Sequence, residues 1–114
     1  MKVKELTIGK RMLLSDYENI HNAIVTKLEA DTKGMIEVTL FVKGRKGSIV
    51  LDENLDLYDE VVESFHYPIT GLVSMNFDKL KSNSIKAMIN QKSNMIATID
   101  EKIANFEKID IKDL

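Results

Sequence analysis

The sequence predicts a mainly β fold with helices, of the α+β class. We expect a small five-stranded Greek-key barrel with a helix between strands 3 and 4 and an amphipathic helix at the C-terminal end. Residues 35–51 alternate apolar and polar side chains on both sides of a glycine-containing turn, which is typical of a β-hairpin. Residues 52–65 and 93–109 instead repeat apolar side chains at intervals of three and four, which is typical of helices.

The length and composition limit the class of protein. A chain of 114 residues is long enough for one core, so we expect a single domain over residues 1–114, with the barrel over about 5–90 and the last helix over about 93–109. The absence of cysteine excludes disulfides, thiolate metal ligands and thiol catalysis. No run is apolar enough for a membrane span or a secretion signal. We therefore expect a cytoplasmic protein that contacts no membrane.

The net charge of −2 conceals a segregation along the chain. Residues 1–51 carry nine cations and six anions, whereas residues 52–63 carry six anions and no cation. Residues 64–92 carry four cations and one anion. This order is compatible with a basic face on the sheet and equally with an ordinary mixed surface.

The hairpin is the clearest prediction. On its first strand Ile36, Val38, Leu40 and Val42 share one face, and Thr39, Phe41 and Lys43 share the other. We expect the chain to turn at residues 44–47 and then to bury Ile49 and Leu51.

The segments before the hairpin are less clear. Val3, Leu6 and Ile8 predict an extended or irregular segment that ends at Gly9. Residues 16–29 combine a capping box with helical spacing, but they also alternate as a strand does, and we favour the strand. A turn at residues 31–34 then leads into the hairpin.

After the hairpin we expect a helix over residues 52–65, which Pro68 ends, and a strand over residues 69–75. Residues 76–83 are polar and predict a loop. Residues 84–90 alternate as a fifth strand does, although the last helix, otherwise expected from Ser93, is an alternative from Ser84 onward.

Several short runs resemble a known family. Thr32-Lys33-Gly34, Val38-Thr39-Leu40, Lys46-Gly47-Ser48-Ile49 and Ile69-Thr70-Gly71-Leu72-Val73 are similar to OB-fold domains of the anticodon-binding type. The predicted order of elements is also that of the OB-fold. The resemblance implies a barrel that binds single-stranded nucleic acid on the outer face of strands 2 and 3.

The candidate site follows from that face. Phe41 is the expected stacking platform and Thr39 lies beside it, while the cations expected to neutralise phosphates are Lys33, Lys43, Arg45, Lys46, Lys79 and Lys81. Two alternatives stay open, because Phe41 also suits a position under the last helix and lysines are commonly a solvated surface. The last helix carries a separate candidate interaction surface, namely Ile96, Ile99, Ile103 and Phe106.

Two classes of function remain, and neither is an enzyme. His21 and His66 match no catalytic or metal-ligand pattern, so we expect no catalytic residue, metal or cofactor. The first class is a non-catalytic module that binds single-stranded DNA or RNA, acting alone or as a small accessory subunit. The alternative is an interaction or inhibitor module, of the kind that phages and mobile elements carry, which binds a protein partner or a second copy through its sheet face or its last helix.

Overall fold

A computed structural model describes residues 1–66 and 69–109 of the chain. The chain divides into two compact units, Met1–Ser84 and Ile85–Leu114, and each is described by itself. The elements follow one another in this order: a 3₁₀-helix at Val3–Glu5, then β1 (Arg11–Ser15), β2 (Ile20–Ala30), β3 (Met35–Val42), β4 (Arg45–Asp52), β5 (Val62–His66), β6 (Ile69–Ser74) and α1 (Phe77–Glu107).

The strands form a nearly closed antiparallel barrel. The sheet order is β4-β3-β2-β1-β6-β5, and all paired strands are antiparallel. β1 to β4 therefore form a meander, and the β5–β6 hairpin joins it by pairing β6 with β1. The prediction of a mainly β barrel with a C-terminal helix is confirmed, whereas the five-stranded Greek-key topology is wrong.

The predicted hairpin is confirmed as β3 and β4. Its inward residues are all buried, with no more than 8% of any side chain exposed: Ile36, Val38, Leu40, Val42, Ile49 and Leu51. The turn is shorter than predicted, because Val42 pairs with Arg45 and only Lys43 and Gly44 lie between them. Both residues have positive φ, of 53° and 74°, as a two-residue type I′ turn requires.

The strand favoured for residues 16–29 is confirmed as β2, although it runs from Ile20 to Ala30. Residues 16–19 instead form a turn, since Asp16 Oδ1 accepts hydrogen bonds from the backbone N–H groups of Glu18 and Asn19 at 2.9 and 2.7 Å. The capping pattern at Ser15–Glu18 is therefore a turn between two strands.

β1 was missing from the prediction. Met12 and Leu14 are buried on it, with 0% and 1% of each exposed. The segment predicted as extended or irregular before Gly9 contributes Val3 and Leu6 to the core. β1 begins two residues after Gly9. Five residues are too few to show a clear period, which is why the pattern alone did not reveal this strand.

The helix predicted over residues 52–65 is wrong. Asp52, expected at the N-terminus of that helix, forms a tight turn instead, in which its Oδ1 accepts from Asn54 N at 2.8 Å. A second turn follows, in which Asp56 Oδ1 accepts from Tyr58 N at 2.9 Å. Beyond them the chain pairs as β5, with Ser64 buried and Phe65 79% exposed. Pro68, expected to end that helix, lies outside the described residues.

The loop predicted at residues 76–83 and the fifth strand at residues 84–90 are also wrong, because α1 already begins at Phe77. Asn76 caps the helix: its Oδ1 accepts from Lys79 N at 3.1 Å, and its carbonyl accepts from Leu80 N at 3.0 Å. The helix begins even earlier than the alternative from Ser84. Residues 69–75 are confirmed as a strand, β6 at Ile69–Ser74.

Leu80 and Ser84 attach the start of α1 to the barrel. Leu80 is fully buried, and Ser84 Oγ donates to Leu80 O at 2.7 Å and lies 2.6 Å from Ser15 Oγ at the end of β1. A buried hydroxyl pair of this kind satisfies two polar side chains that would otherwise be costly to bury. The contact fixes where the first turns of the helix meet β1.

Gly71 is required by the pairing of β6 with β1. Its φ is +135°, and a Cβ at this position would lie 1.9 Å from the carbonyl oxygen of Ser15. Backbone of β1 therefore occupies the place that any side chain at residue 71 would need. Only glycine permits the two strands to approach as they do.

We expect Gly71→Ala to lower the free energy of unfolding by roughly 3 kcal/mol or more, because the methyl group collides with backbone that the β1–β6 pairing holds in place. The control is Gly44→Ala, where φ is also positive but no atom lies within 4 Å of the new Cβ. That change should cost about 1 kcal/mol. Urea unfolding followed by circular dichroism measures both, and equal losses would contradict the close approach of β6 to β1.

Candidate nucleic-acid interface

Four outward-facing side chains form a row across β1 to β4. Arg11 pairs with Ile24, Ile24 with Phe41, and Phe41 with Lys46. Neighbouring strands lie about 4.8 Å apart, so this Phe41 row is about 14 Å long. Phe41 is 43% exposed, and Arg11 and Lys46 are exposed as well. The row thus presents an aromatic ring and an aliphatic side chain between two cations.

The outer face becomes acidic toward the other end of the strands. In the next row Lys27 pairs with Thr39 and Thr39 with Ser48, whose hydroxyl oxygens lie 3.0 Å apart. The row after that pairs Glu29 with Glu37. Lys27 Nζ lies 2.8 Å from Glu29 Oε1, so part of its charge is compensated. A polyanion would therefore be attracted to the Phe41 row and repelled from the row of Glu29 and Glu37.

The two turns at the basic end are joined by an acidic group. Asp16 Oδ2 accepts a hydrogen bond from Lys43 Nζ and lies 2.8 Å from His21 Nε2. Asp16 lies in the β1–β2 turn and Lys43 lies in the β3–β4 turn. The ion pair therefore connects the two turns, and it partly compensates the charge of one predicted phosphate-binding lysine.

The surroundings of Asp16 favour its ionised form. Partial burial acts to raise the pKa of the carboxyl group, but hydrogen bonds from Lys43, the backbone N–H groups of Asn19 and Glu18, and His21 outweigh it. The pKa of Asp16 is consequently held well below its usual range. The carboxylate stays charged throughout the physiological range, so the connection between the turns persists there.

A shallow depression extends the Phe41 row past Arg11. It has a volume of about 220 Å³ and is lined by Gly9, Lys10, Arg11, Leu13, Tyr58 and Met75. Tyr58 is 46% exposed, so a second aromatic side chain lies beside the cations of β1 and of the residue before it. The cationic and aromatic surface therefore continues from β4 to the segment between β4 and β5.

The structure brings together some predicted site residues and separates others. Phe41, Lys43, Arg45 and Lys46 lie at the basic end of β3 and β4, and Thr39 lies one row away. Lys33 lies in the β2–β3 turn at the opposite end of β3, about 25 Å away for an eight-residue strand. It therefore does not belong to the same cluster.

Lys79 and Lys81 are on α1 rather than in the predicted loop between two strands. Lys79 Nζ donates to the carbonyl oxygen of Asp59 at 2.8 Å, so this lysine holds the segment between β4 and β5. Lys81 is exposed on the helix surface. The two lysines were predicted as site residues because they were expected in a loop between two strands, and a helix occupies that place instead.

The predicted interaction helix is longer than its sequence pattern indicated. Ile96, Ile99, Ile103 and Phe106 are on α1 and are 52%, 53%, 52% and 76% exposed. The same stripe continues toward the N-terminus through Ile85 and Ile89, which are 45% and 57% exposed. The predicted start at Ser93 had divided this stripe between two elements.

The sequence pattern did not indicate Arg11, Ile24 or Tyr58 as site residues. Arg11 was not assigned because β1 was not recognised, although the run Arg11–Ser15 between Gly9 and Asp16 is a short apolar segment bounded by turn residues. Ile24 was assigned to a strand, but its neighbours across the sheet depend on the register. Tyr58 was assigned to the wrong element.

Within residues 1–66 and 69–109 no group of three or more acidic, histidine or cysteine side chains is arranged to hold a metal ion. The same residues include no helix that is long and apolar enough to span a membrane.

We expect Asp16→Asn to lower the free energy of unfolding at pH 7 by roughly 1–3 kcal/mol, since it removes the charge that holds Lys43 and His21. Because folding lowers the pKa of this carboxyl group, its contribution is complete above its usual pKa of 3.8 and decreases as the pH falls below that value. The difference between the native chain and the variant should therefore be smaller at pH 3 than at pH 7 in urea unfolding.

The matched control is Asp31→Asn. Asp31 also accepts backbone hydrogen bonds in a turn, from Lys33 N and Met35 N at 2.7 and 3.0 Å, and asparagine can accept the same bonds. This variant should stay near the native stability at both pH values. A loss as large as that of Asp16→Asn would show that the turn, rather than the ion pair, is responsible.

In comparisons with known proteins, no protein-family model, no curated protein and no solved structure is significantly similar to this chain.

Proposed function

We propose that this chain binds single-stranded nucleic acid on the outer face of β1 to β4 and catalyses no reaction. The observation that carries the proposal is the Phe41 row, in which an exposed aromatic ring lies between cations on one continuous sheet surface. Single strands are generally held by stacking of bases on aromatic side chains and by cations along the backbone path.

The row and the adjoining depression supply both kinds of contact. Phe41 and Tyr58 are exposed aromatic side chains on one side of the barrel, and stacking on such a ring contributes about 1–3 kcal/mol per base. Lys10, Arg11 and Lys46 provide positive charge beside the rings. This arrangement explains how a chain of net charge −2 attracts a polyanion locally.

The proposal does not depend on Greek-key connectivity. OB-type barrels bind their ligands on an outer sheet face, and the meander barrel offers such a face through its own cross-strand register. The acidic row at Glu29 and Glu37 also limits the path of the bound nucleic acid, because it repels a single strand that runs toward the β2–β3 turn. We therefore propose that the ligand crosses the strands along the Phe41 row, from β4 toward Tyr58.

A fluorescence titration with labelled oligo-dT and oligo-rU at low and moderate salt tests the proposal. We expect affinity to fall steeply with salt, and Lys46→Glu or Arg11→Glu to weaken binding and flatten the salt dependence. Phe41→Ala should weaken binding roughly 5- to 150-fold, the equivalent of 1–3 kcal/mol for one stacked base.

Two control variants make the same chemical changes away from the row. Lys33→Glu reverses a charge at the far end of β3, and Val50→Ala removes exposed apolar surface opposite Glu37. Both should bind almost as the native chain does. Absence of binding at low salt, or equal losses in the control variants, would contradict the proposal.

A second candidate function, interaction with a protein through α1, is favoured by a different observation. The exposed stripe from Ile85 to Phe106 leaves large apolar side chains in water, which soluble helices avoid unless a partner covers them. Binding through this stripe would depend little on salt, in contrast to nucleic-acid binding.

A further inference from the structure

The apolar stripe of α1 has the spacing of a coiled coil. From Ile85 the stripe follows steps of four and three through Ile89, Lys92, Ile96, Ile99, Ile103 and Phe106. In heptad terms Ile89, Ile96 and Ile103 occupy the a positions, and Ile85, Lys92, Ile99 and Phe106 occupy the d positions. The average period of 3.5 residues keeps these side chains on one seam when two helices supercoil.

The helix is long enough to use that seam. α1 comprises 31 residues, which corresponds to about 46 Å. Every apolar residue of the seam is at least 45% exposed. Met88 and Met95 occupy flanking g positions and are 39% and 60% exposed, so the exposed apolar surface is wider than the seam itself.

Most charges along α1 are ordered against the helix dipole. Lys79, Lys81, Lys86 and Lys92 lie in the N-terminal half and Asp100, Glu101 and Glu107 in the C-terminal half, and the two exceptions are Asp78 and Lys102. The last turn contains no cation, although cations are the stabilising charges at a helix C-terminus. An antiparallel helix would bring the opposite charges and the opposite dipole end beside each half.

Charge complementarity also distinguishes the two orientations of a pair of such helices. In a parallel pair the two Lys92 side chains would meet in one layer, and Lys81 would face Lys86 across the flank. In an antiparallel pair centred between residues 97 and 98, Lys92 faces Ile103 of the second copy. Its ammonium group can then extend toward Asp100, about 4.5 Å further along that helix.

The flanking charges match in the same register. Lys86 and Glu107 both occupy e positions, and e positions face one another in antiparallel pairs. When the pair is centred between residues 97 and 98, Lys86 of one helix lies beside Glu107 of the other, and this contact occurs twice per dimer. No like charges meet in this arrangement of the seam and its flanking e and g positions.

We propose that a second copy of this chain covers the stripe, with the two α1 helices antiparallel and residues 86–107 of each in contact. This inference deepens the second candidate function, because it names the partner, the orientation and the register. The contact is short, so the dimer should dissociate on dilution.

Sedimentation of the full-length chain over a wide concentration range measures the association. Lys86→Glu and Glu107→Lys should each raise the dimer dissociation constant about three- to tenfold, since each places like charges together twice. The double variant should return close to the native value. In a parallel dimer Lys86→Glu would instead lower the dissociation constant, because residue 86 would then lie beside Lys81, and only Glu107→Lys, beside Lys102, would raise it.

The matched controls are Lys108→Glu and Glu101→Lys. Glu101 occupies an f position, on the side of the helix away from the seam, and Lys108 follows the last residue of α1, so both changes should leave the dissociation constant unchanged. Circular dichroism of every variant verifies that the helix content is retained.

Cysteine pairing tests the orientation directly, because the native chain contains no cysteine. In the antiparallel register residue 89 faces residue 106, whereas the two copies of residue 89 lie about 26 Å apart. Ile89→Cys and Phe106→Cys should therefore form no disulfide-linked dimer when each is oxidised alone and should do so when mixed.

Self-linking of Ile89→Cys would overturn the antiparallel orientation in favour of a parallel one. A native chain that stays monomeric at all accessible concentrations would overturn the second copy as the occupant. Neither result bears on the nucleic-acid proposal, which has its own readout in the salt titration. A monomeric chain would overturn the dimer but not the second candidate function, because a different protein would then be the partner of α1. Failure of the dimer and failure of the second candidate function are therefore distinguishable.

Discussion

The close approach of β6 to β1 at Gly71 is the constraint on which the other features of the barrel depend. The absence of a side chain there lets the β5–β6 hairpin join the β1–β4 meander, and the joined sheet then nearly closes. Ser15 takes part in both contacts at this point: its carbonyl oxygen faces Gly71, and its hydroxyl group meets Ser84 of α1. Sheet closure and the start of the helix are therefore set at one place.

The position of β1 in turn creates the candidate interface. Because β1 pairs with β2 in a fixed register, Arg11 lies opposite Ile24, and the Phe41 row acquires a cation at each end. The Asp16–Lys43 ion pair then fixes the two turns at this end of the barrel. Charge on the outer face thus changes from basic to acidic along the strands. The net charge of −2 does not reveal this separation.

The two proposed interactions use different parts of the chain and different physical forces. The sheet face offers cations and aromatic rings, whose attraction for a polyanion is screened by salt. The α1 seam offers isoleucines in heptad spacing, whose burial is largely independent of salt. A dimer formed through α1 would carry two such sheet faces, and two weak contacts with one long strand are stronger together than either alone.

The sequence predicts the β3–β4 hairpin, its buried residues and the apolar periodicity of the last helix, because these depend on the local period of side chains. It also identified Phe41, Arg45 and Lys46 as neighbours, since a hairpin brings them together over a few residues.

Other assignments needed tertiary contacts. Asp52 carries helix-capping chemistry, yet it forms a turn because the chain beyond it pairs as β5 with β6. The segment from Asn76 looked like a loop, yet burial of Leu80 and the Ser84–Ser15 contact support a helix there. Strand pairing in the folded barrel places Arg11 in the same row as Phe41 and Lys33 far from it, because a position across a sheet is set by strand register and not by distance along the chain.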